Sequence, residues 1–252
     1  MPEYVELDGM RMWYDRQGAG EALVMLHPGG VDSRAYGPNL SDFASRFTVF
    51  LPEQRGHGHT PDVNGEFTYE SMADDTIKFI EQVVGRPTLL MGMSDGGVVA
   101  LLVAKKRPDL VTRLVFVAAV FHHDGWDDGV LQPGVAPPEF MAEGYGKVSP
   151  DGKDHYAVIA KKLDAMHANG PTLAVDDLKG LRCRTLAMFG DDDEVRLEHA
   201  LAFYRSVPDC ELAIIPGTSH GLLVEKPTLC DQIMLEFLTR DPVPTMAPRR
   251  RA

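Results

Sequence analysis

The 252-residue chain carries 37 Asp and Glu against 25 Lys and Arg, a formal net charge of −12, which argues against a nucleic-acid-binding surface. Hydrophobic residues make up 44%, enough for one α/β domain with an insertion or for two small domains. The three cysteines, Cys183, Cys210 and Cys230, are isolated and show no C-x-x-C spacing, so neither a disulfide framework nor a zinc site is indicated, and reduced thiols are the default.

The N-terminal stretch MPEYVELDGMRMWYDRQG lacks the basic flank and apolar run of a secretory signal. No apolar run reaches the roughly 18 residues that a membrane span needs. A cytoplasmic location is the expectation. Asp8-Gly9 between Glu3–Leu7 and Met10–Asp15 is a hairpin signal, so two antiparallel strands should open the chain. Ala22 to Leu26 is a short apolar run followed by His27-Pro28-Gly29-Gly30, and Ser33 to Arg46 reads as a weaker helix. Thr48 to Leu51 is a strand that runs into Pro52-Glu53-Gln54-Arg55-Gly56-His57-Gly58-His59. Thr68 to Val84 is a helix. Tyr69, Met72, Ala73, Ile77, Ile80 and Val84 recur on one face, Thr68 can cap its start, and Gly85 can end it.

Thr88 to Met91 is a buried-strand run, Val98 to Lys106 a helix, and Leu114 to Val120 a continuous apolar strand covered on both faces. The alternation then breaks from Phe121 to about Lys179, with short helices expected near 138–142 and 155–168. That stretch is too long for an ordinary loop and reads as a cap or lid. Thr185–Phe189 and Leu212–Ile215 are strands, and Val195–Val207 and Thr228–Thr239 are helices. The organisation expected is therefore a core of 1–120 and 180–240, a cap insertion over 121–179, and a disordered tail over 241–252 that ends in the solvated run Arg249 to Arg251. The fold class is α/β, a mostly parallel central sheet with helices on both faces.

In such sheets functional residues collect at the carboxyl ends of the strands. Gly92-Met93-Ser94-Asp95-Gly96 is a G-x-S-x-G sequence between a predicted strand and a predicted helix, the context of a nucleophile elbow. A serine hydroxyl is a weak nucleophile that must be presented to a base, and a sharp strand-to-helix turn does this. The Asp95 amide at the helix start can then donate to an oxyanion. Gly190-Asp191-Asp192-Asp193 and Gly217-Thr218-Ser219-His220-Gly221 also follow strands. A serine, an aspartate and a histidine thus fall at one edge in the order Ser…Asp…His.

Together HPGG, RGHG, GMSDGG, GDDD and SHG resemble the α/β-hydrolase superfamily in its capped form, over nearly the whole chain. The Ser94-Asp95-Gly96-Gly97 elbow is similar to that of valacyclovir hydrolase-like esterases. The resemblance implies Ser94 as nucleophile, His220 as general base and Asp193 as the orienting acid, with Asp191 and Asp192 as its competitors. It implies that His27 is structural and that the oxyanion hole pairs Asp95 with Gly29, a shift to Gly30 being the alternative. Pro28 replaces a glycine of the common pattern and has no N–H to donate. Glu53, where relatives commonly have Asp, carries no functional reading.

His57 and His59 read as structural or surface residues. For the substrate, Asp124 with its neighbours Asp127 and Asp128 could recognise an ammonium group or simply face water. Phe121, His122, Trp126, Phe140 and Met141 are candidate pocket walls. The expected activity is cleavage of a small-molecule carboxylic ester or lactone, with amidase, iminopeptidase, carbon–carbon bond hydrolase or perhydrolase chemistry open on the same triad. A slow-turnover ligand-binding protein is the reading from another class. No cofactor, metal, nucleic-acid or membrane partner is expected, and the oligomeric state is not specified.

Overall fold

The structure, a computed structural model, describes residues 2–131, 134–242 and 244–248. The chain opens with β1 (Glu3–Leu7) and β2 (Met10–Gln17). Asp8 and Gly9 between them have φ of 48° and 85°, the two left-handed residues of a type I′ turn. Next come β3 (Glu21–Leu26), α1 (Leu40–Ala44), β4 (Phe47–Pro52) and α2 (Tyr69–Phe79). They are followed by β5 (Thr88–Met93), α3 (Asp95–Lys106) and β6 (Val111–Val117). Three helices, α4 (Glu139–Gly146), α5 (Tyr156–Asn169) and α6 (Val175–Leu178), lie between β6 and β7 (Arg184–Gly190). The chain closes with α7 (Leu197–Ser206), β8 (Cys210–Ile215), α8 (Leu222–Glu225) and α9 (Pro227–Thr239).

All eight strands form one sheet in the order β1-β2-β4-β3-β5-β6-β7-β8, with β1, β2 and β4 paired antiparallel and the rest parallel. Side chains alternate between its two faces. Val24, Leu26, Leu90, Leu114, Phe116 and Phe189 pack on one side with α2, α3 and α7. Leu23, Met25, Leu89, Met91, Val115 and Met188 pack on the other, against α1 and α9. Burial on both faces explains why these strands read as unbroken apolar runs. The register pairs Leu26 with Gly92, Met93 with Val117, and Gly190 with Ile215. The carboxyl ends of β3, β5, β6, β7 and β8 are therefore level, and the loops that leave them share one edge.

Several local readings differ from the sequence expectation. The stretch from Ser33 to Arg46 is a 3₁₀ turn, Ser33–Tyr36, and then α1, because Gly37-Pro38 interrupts it; proline cannot continue the hydrogen-bond ladder. The helix expected to Val84 passes at Ile80 into a π turn, Ile80–Val84, closed by Gly85 at φ 67°, while Thr68 Oγ1 caps its start from the Ser71 N–H at 3.0 Å. Helices α6 and α8 were not expected. Among the described residues beyond Asp241 there is no helix or strand; Arg249 to Arg251 lie outside the described residues. No helix among the described residues is long and apolar enough to cross a membrane.

Candidate active site

Ser94 sits between β5 and α3 with φ 53° and ψ −123°, a conformation that costs a non-glycine residue about 1–3 kcal/mol. Its surroundings hold it there. The Ser94 N–H donates to Val117 O at 2.9 Å, and its carbonyl accepts from the Gly97 and Val98 N–H groups. Glycines are required on either side. A Cβ on Gly92 would stand 2.0 Å from Gly96 O, and one on Gly96 would stand 2.1 Å from Leu26 O. The turn thus closes tightly and leaves the hydroxyl at the sheet edge.

There Ser94 Oγ lies 3.1 Å from His220 Nε2, and His220 Nδ1 lies 2.9 Å from Asp193 Oδ1. His220 comes from the loop after β8, and Asp193 from the turn after β7. The fully buried Asp193 carboxylate also accepts from the Gly190 and Val195 N–H groups. Gly190 lets the two loops touch, since a Cβ there would lie 2.4 Å from Thr218 O. The neighbouring Asp191 instead accepts from the Thr218 N–H, and the Asp192 N–H donates to Thr218 O. Burial alone would lower the His220 pKa. The hydrogen bond and charge of Asp193 outweigh it and hold the imidazole above its ordinary 6.5. Trp126 stands edge-on to the His220 ring at 5.7 Å.

Gly29 and Asp95 both line the cavity that Ser94 lines. The N–H groups of Gly29 and Asp95 have no acceptor among the described residues, whereas the Gly30 N–H donates to His57 Nε2 at 3.1 Å. The loop that carries Gly29 is braced by the loop after β4. His27 Nε2 accepts from the Gln54 N–H, and its Nδ1–H donates to Pro28 O. His57 Nδ1–H donates to Arg55 O, and burial pushes its pKa down to about 4. Glu53, fully buried, accepts from the Ser33 hydroxyl at 2.7 Å and from the His59 N–H at 2.6 Å. His59 stacks on Trp13. His27, His57 and His59 are therefore bracing residues, as the sequence suggested. The part played by Glu53 was missed, and its place between two loops is not encoded in any local pattern.

A cavity of about 560 Å³ lies over Ser94, lined by Gly29, Ser94, Asp95, Trp126, Met141 and His167 among others. Of the six residues expected to bind substrate, Trp126 and Met141 line it. The other four do not. Phe121 is buried and stacks on His199 at 3.9 Å. Asp124 is 77% exposed and pairs with His122 and His123, and the His122 ring accepts from the Asp124 N–H. Phe140 is exposed and lines a second cavity of about 310 Å³, which Met141 also lines. Asp127 and Asp128 pair with Arg196 at the surface. Among the described residues, one group could hold a metal ion, His122, His123 and Asp124, whose ligand atoms lie within 4.8 Å of one another; none of them lines the cavity.

The structure also brings in a residue the sequence did not single out. His167, on α5, places Nε2 at 3.0 and 2.9 Å from the two oxygens of the buried Asp95 carboxylate, and Tyr69 donates its hydroxyl to the same carboxylate at 2.6 Å. Burial opposes ionisation of both partners. The opposite charge and the hydrogen bonds prevail, so Asp95 is held below the ordinary carboxylate range and His167 above the ordinary imidazole value.

A model of the alpha/beta hydrolase family matches residues 23–231. The chain is 26% identical over 232 residues to serine hydrolase BPHL of Homo sapiens, covering 86% of this chain and 79% of that protein. It is 26% identical over 276 residues to the non-heme chloroperoxidase CPO-A1 of Kitasatospora aureofaciens, covering 95% of this chain and all of that protein. Among solved structures, the enol-lactonase from Burkholderia xenovorans LB400 superposes with a TM-score of 0.77 at 16% identity over 94% of this chain and 100% of its own. The meta-cleavage product hydrolase CumD from Pseudomonas fluorescens IP01 does so with a TM-score of 0.77 at 17% identity over 94% and 97%. At these identities the structural likeness speaks to the fold.

Proposed function

The chain belongs to the alpha/beta hydrolase family, and we propose that it is a serine hydrolase that cleaves a small-molecule carboxylic ester or lactone through an acyl-enzyme. The observation that carries this reading is the hydrogen-bonded line from Ser94 Oγ through the two nitrogens of His220 to Asp193. Asp193 fixes the ring so that Nε2 faces the serine, and stabilises the imidazolium that forms. Ser94 attacks the substrate carbonyl as His220 takes its proton, and the Gly29 and Asp95 N–H groups receive the developing oxyanion. His220 then protonates the leaving alkoxide. A water deprotonated by His220 attacks the acyl-enzyme, which releases the acid and returns the proton to Ser94.

The segment 121–179 acts as a cap over the core of 1–120 and 180–240. Its residues Trp126, Met141 and His167 supply part of the cavity wall, so the size and polarity of the substrate are set there. A cavity of about 560 Å³ suits a small molecule. A small ester or lactone also accords with the esterase-like Ser94-Asp95-Gly96-Gly97 elbow.

The test is labelling with a fluorophosphonate, with the modified peptide located by mass spectrometry, beside hydrolysis of p-nitrophenyl acetate. The wild type should be labelled at Ser94. Ser94→Ala should keep its circular dichroism and lose turnover by at least about 10⁴-fold. Hydrolysis at the wild-type rate by Ser94→Ala overturns the assignment.

A further inference from the structure

The residue that offers the oxyanion its N–H also carries a carboxylate, and the two ends of Asp95 make opposite demands. Its amide must favour negative charge on the substrate, while an unbalanced carboxylate beside the same spot would oppose it. The carboxylate is close. A Cβ placed on Gly29, the other donor, would lie 1.9 Å from Asp95 Oδ2. The carboxylate is wedged against the loop that supplies the second N–H and cannot swing toward solvent, since Asp95 is 5% exposed. Three groups surround it. The Tyr69 phenol is buried with its pKa well above 10 and brings a hydrogen bond without charge. His57 is held neutral by burial. His167 meets both carboxylate oxygens.

We propose that His167 is a positioning residue that neutralises the Asp95 carboxylate, so that helix α5 of the inserted segment completes the oxyanion site of the core. The proposal rests on the hydrolase reading above. It gives the segment a role in the chemical step besides shaping the cavity. A charge set against an oxyanion is felt when the oxyanion forms, so its loss should appear in kcat more than in KM.

The test is a double-mutant cycle on p-nitrophenyl acetate hydrolysis with His167→Gln and Asp95→Asn. Glutamine keeps a donor toward Asp95 and loses the charge. His167→Gln is expected to lower kcat by about 100-fold with KM changed less than about threefold. Asp95→Asn in the same chain removes the opposing charge, and the double variant should recover to within about tenfold of wild type. A His167→Gln enzyme with wild-type kcat overturns the proposal, as does a double variant no faster than His167→Gln. A wild type without Ser94-dependent turnover overturns the hydrolase reading and this inference with it. Ser94-dependent turnover with no recovery in the double variant overturns the inference alone.

Discussion

Two histidine–carboxylate pairs adjoin Ser94, one through its hydroxyl and one through the next residue of the chain, and they come from different regions. His220 and Asp193 both stand on loops at the carboxyl edge of the sheet. His167 reaches down from α5, in the inserted segment, to Asp95 on the core helix α3. In both, the carboxylate raises the imidazole pKa against the effect of burial. The second ring nitrogen distinguishes them. His220 uses Nδ1 for the carboxylate and presents Nε2 to a hydroxyl 3.1 Å away, which suits a base. His167 spends Nε2 on the carboxylate, which suits a fixed counter-charge. A perturbed pKa alone would flag both, and geometry separates the roles.

The comparison breaks most sharply at the acid. Asp193→Asn should cost about 10⁴-fold in kcat, because the amide favours the wrong imidazole tautomer. Asp191→Asn and Asp192→Asn should stay near wild type, since those side chains do not meet His220. The reverse ranking in steady-state assays would move the acid. The effect expected for His167→Gln is smaller by about two orders of magnitude. Next is the pH profile. In the proposed mechanism His220 must be neutral to accept the serine proton, and its pKa is raised, so kcat/KM should climb with pH through a limb centred above 6.5. A limb centred below 6.5 would mean that Asp193 does not charge-stabilise the ring.

The smallest effect concerns a buried acid that has no cationic partner among the described residues. Asp231 on α9 accepts from Asn39 at 2.8 Å, and burial pushes its pKa to about 6. The folded pKa lies above the unfolded one, so the stability linked to this group is full below about pH 4 and declines as pH rises through about 6. Asp231→Asn should raise the melting temperature at pH 7.5, by about 1 kcal/mol in stability, and leave it unchanged at pH 4. Equal shifts at both pH values would locate the effect in packing.

What could be read in the sequence follows from how local each signal is. The Asp8-Gly9 turn, the apolar strands and the glycines around Ser94 are dictated by neighbours in the chain, and they led to the sheet and its edge. The meeting of Ser94, His220 and Asp193 could be anticipated because each follows a strand of one parallel sheet. The four-residue helices α6 and α8 have no periodicity to detect. The inserted segment was harder still. Phe121, His122, Asp124 and Phe140 lie in or beside irregular chain, where spacing does not tell which way a side chain turns. His167 lies on a predicted helix, three residues after Asp164 and beside the buried Met166. Its partner is 72 positions away, beyond any local pattern.

The mutual bracing of the loops after β3 and β4 has a consequence for engineering. Gly30 leans on His57, Gln54 on His27 and Ser33 on Glu53, so segments 27–33 and 53–60 form a single bracket though their anchoring partners lie 20 to 27 positions apart in the chain. Grafted together into a related scaffold they would bring their own support. Grafted singly, either would arrive with buried donors and acceptors facing strangers, which makes the pair, and not segment 27–33 alone, the portable unit of this fold.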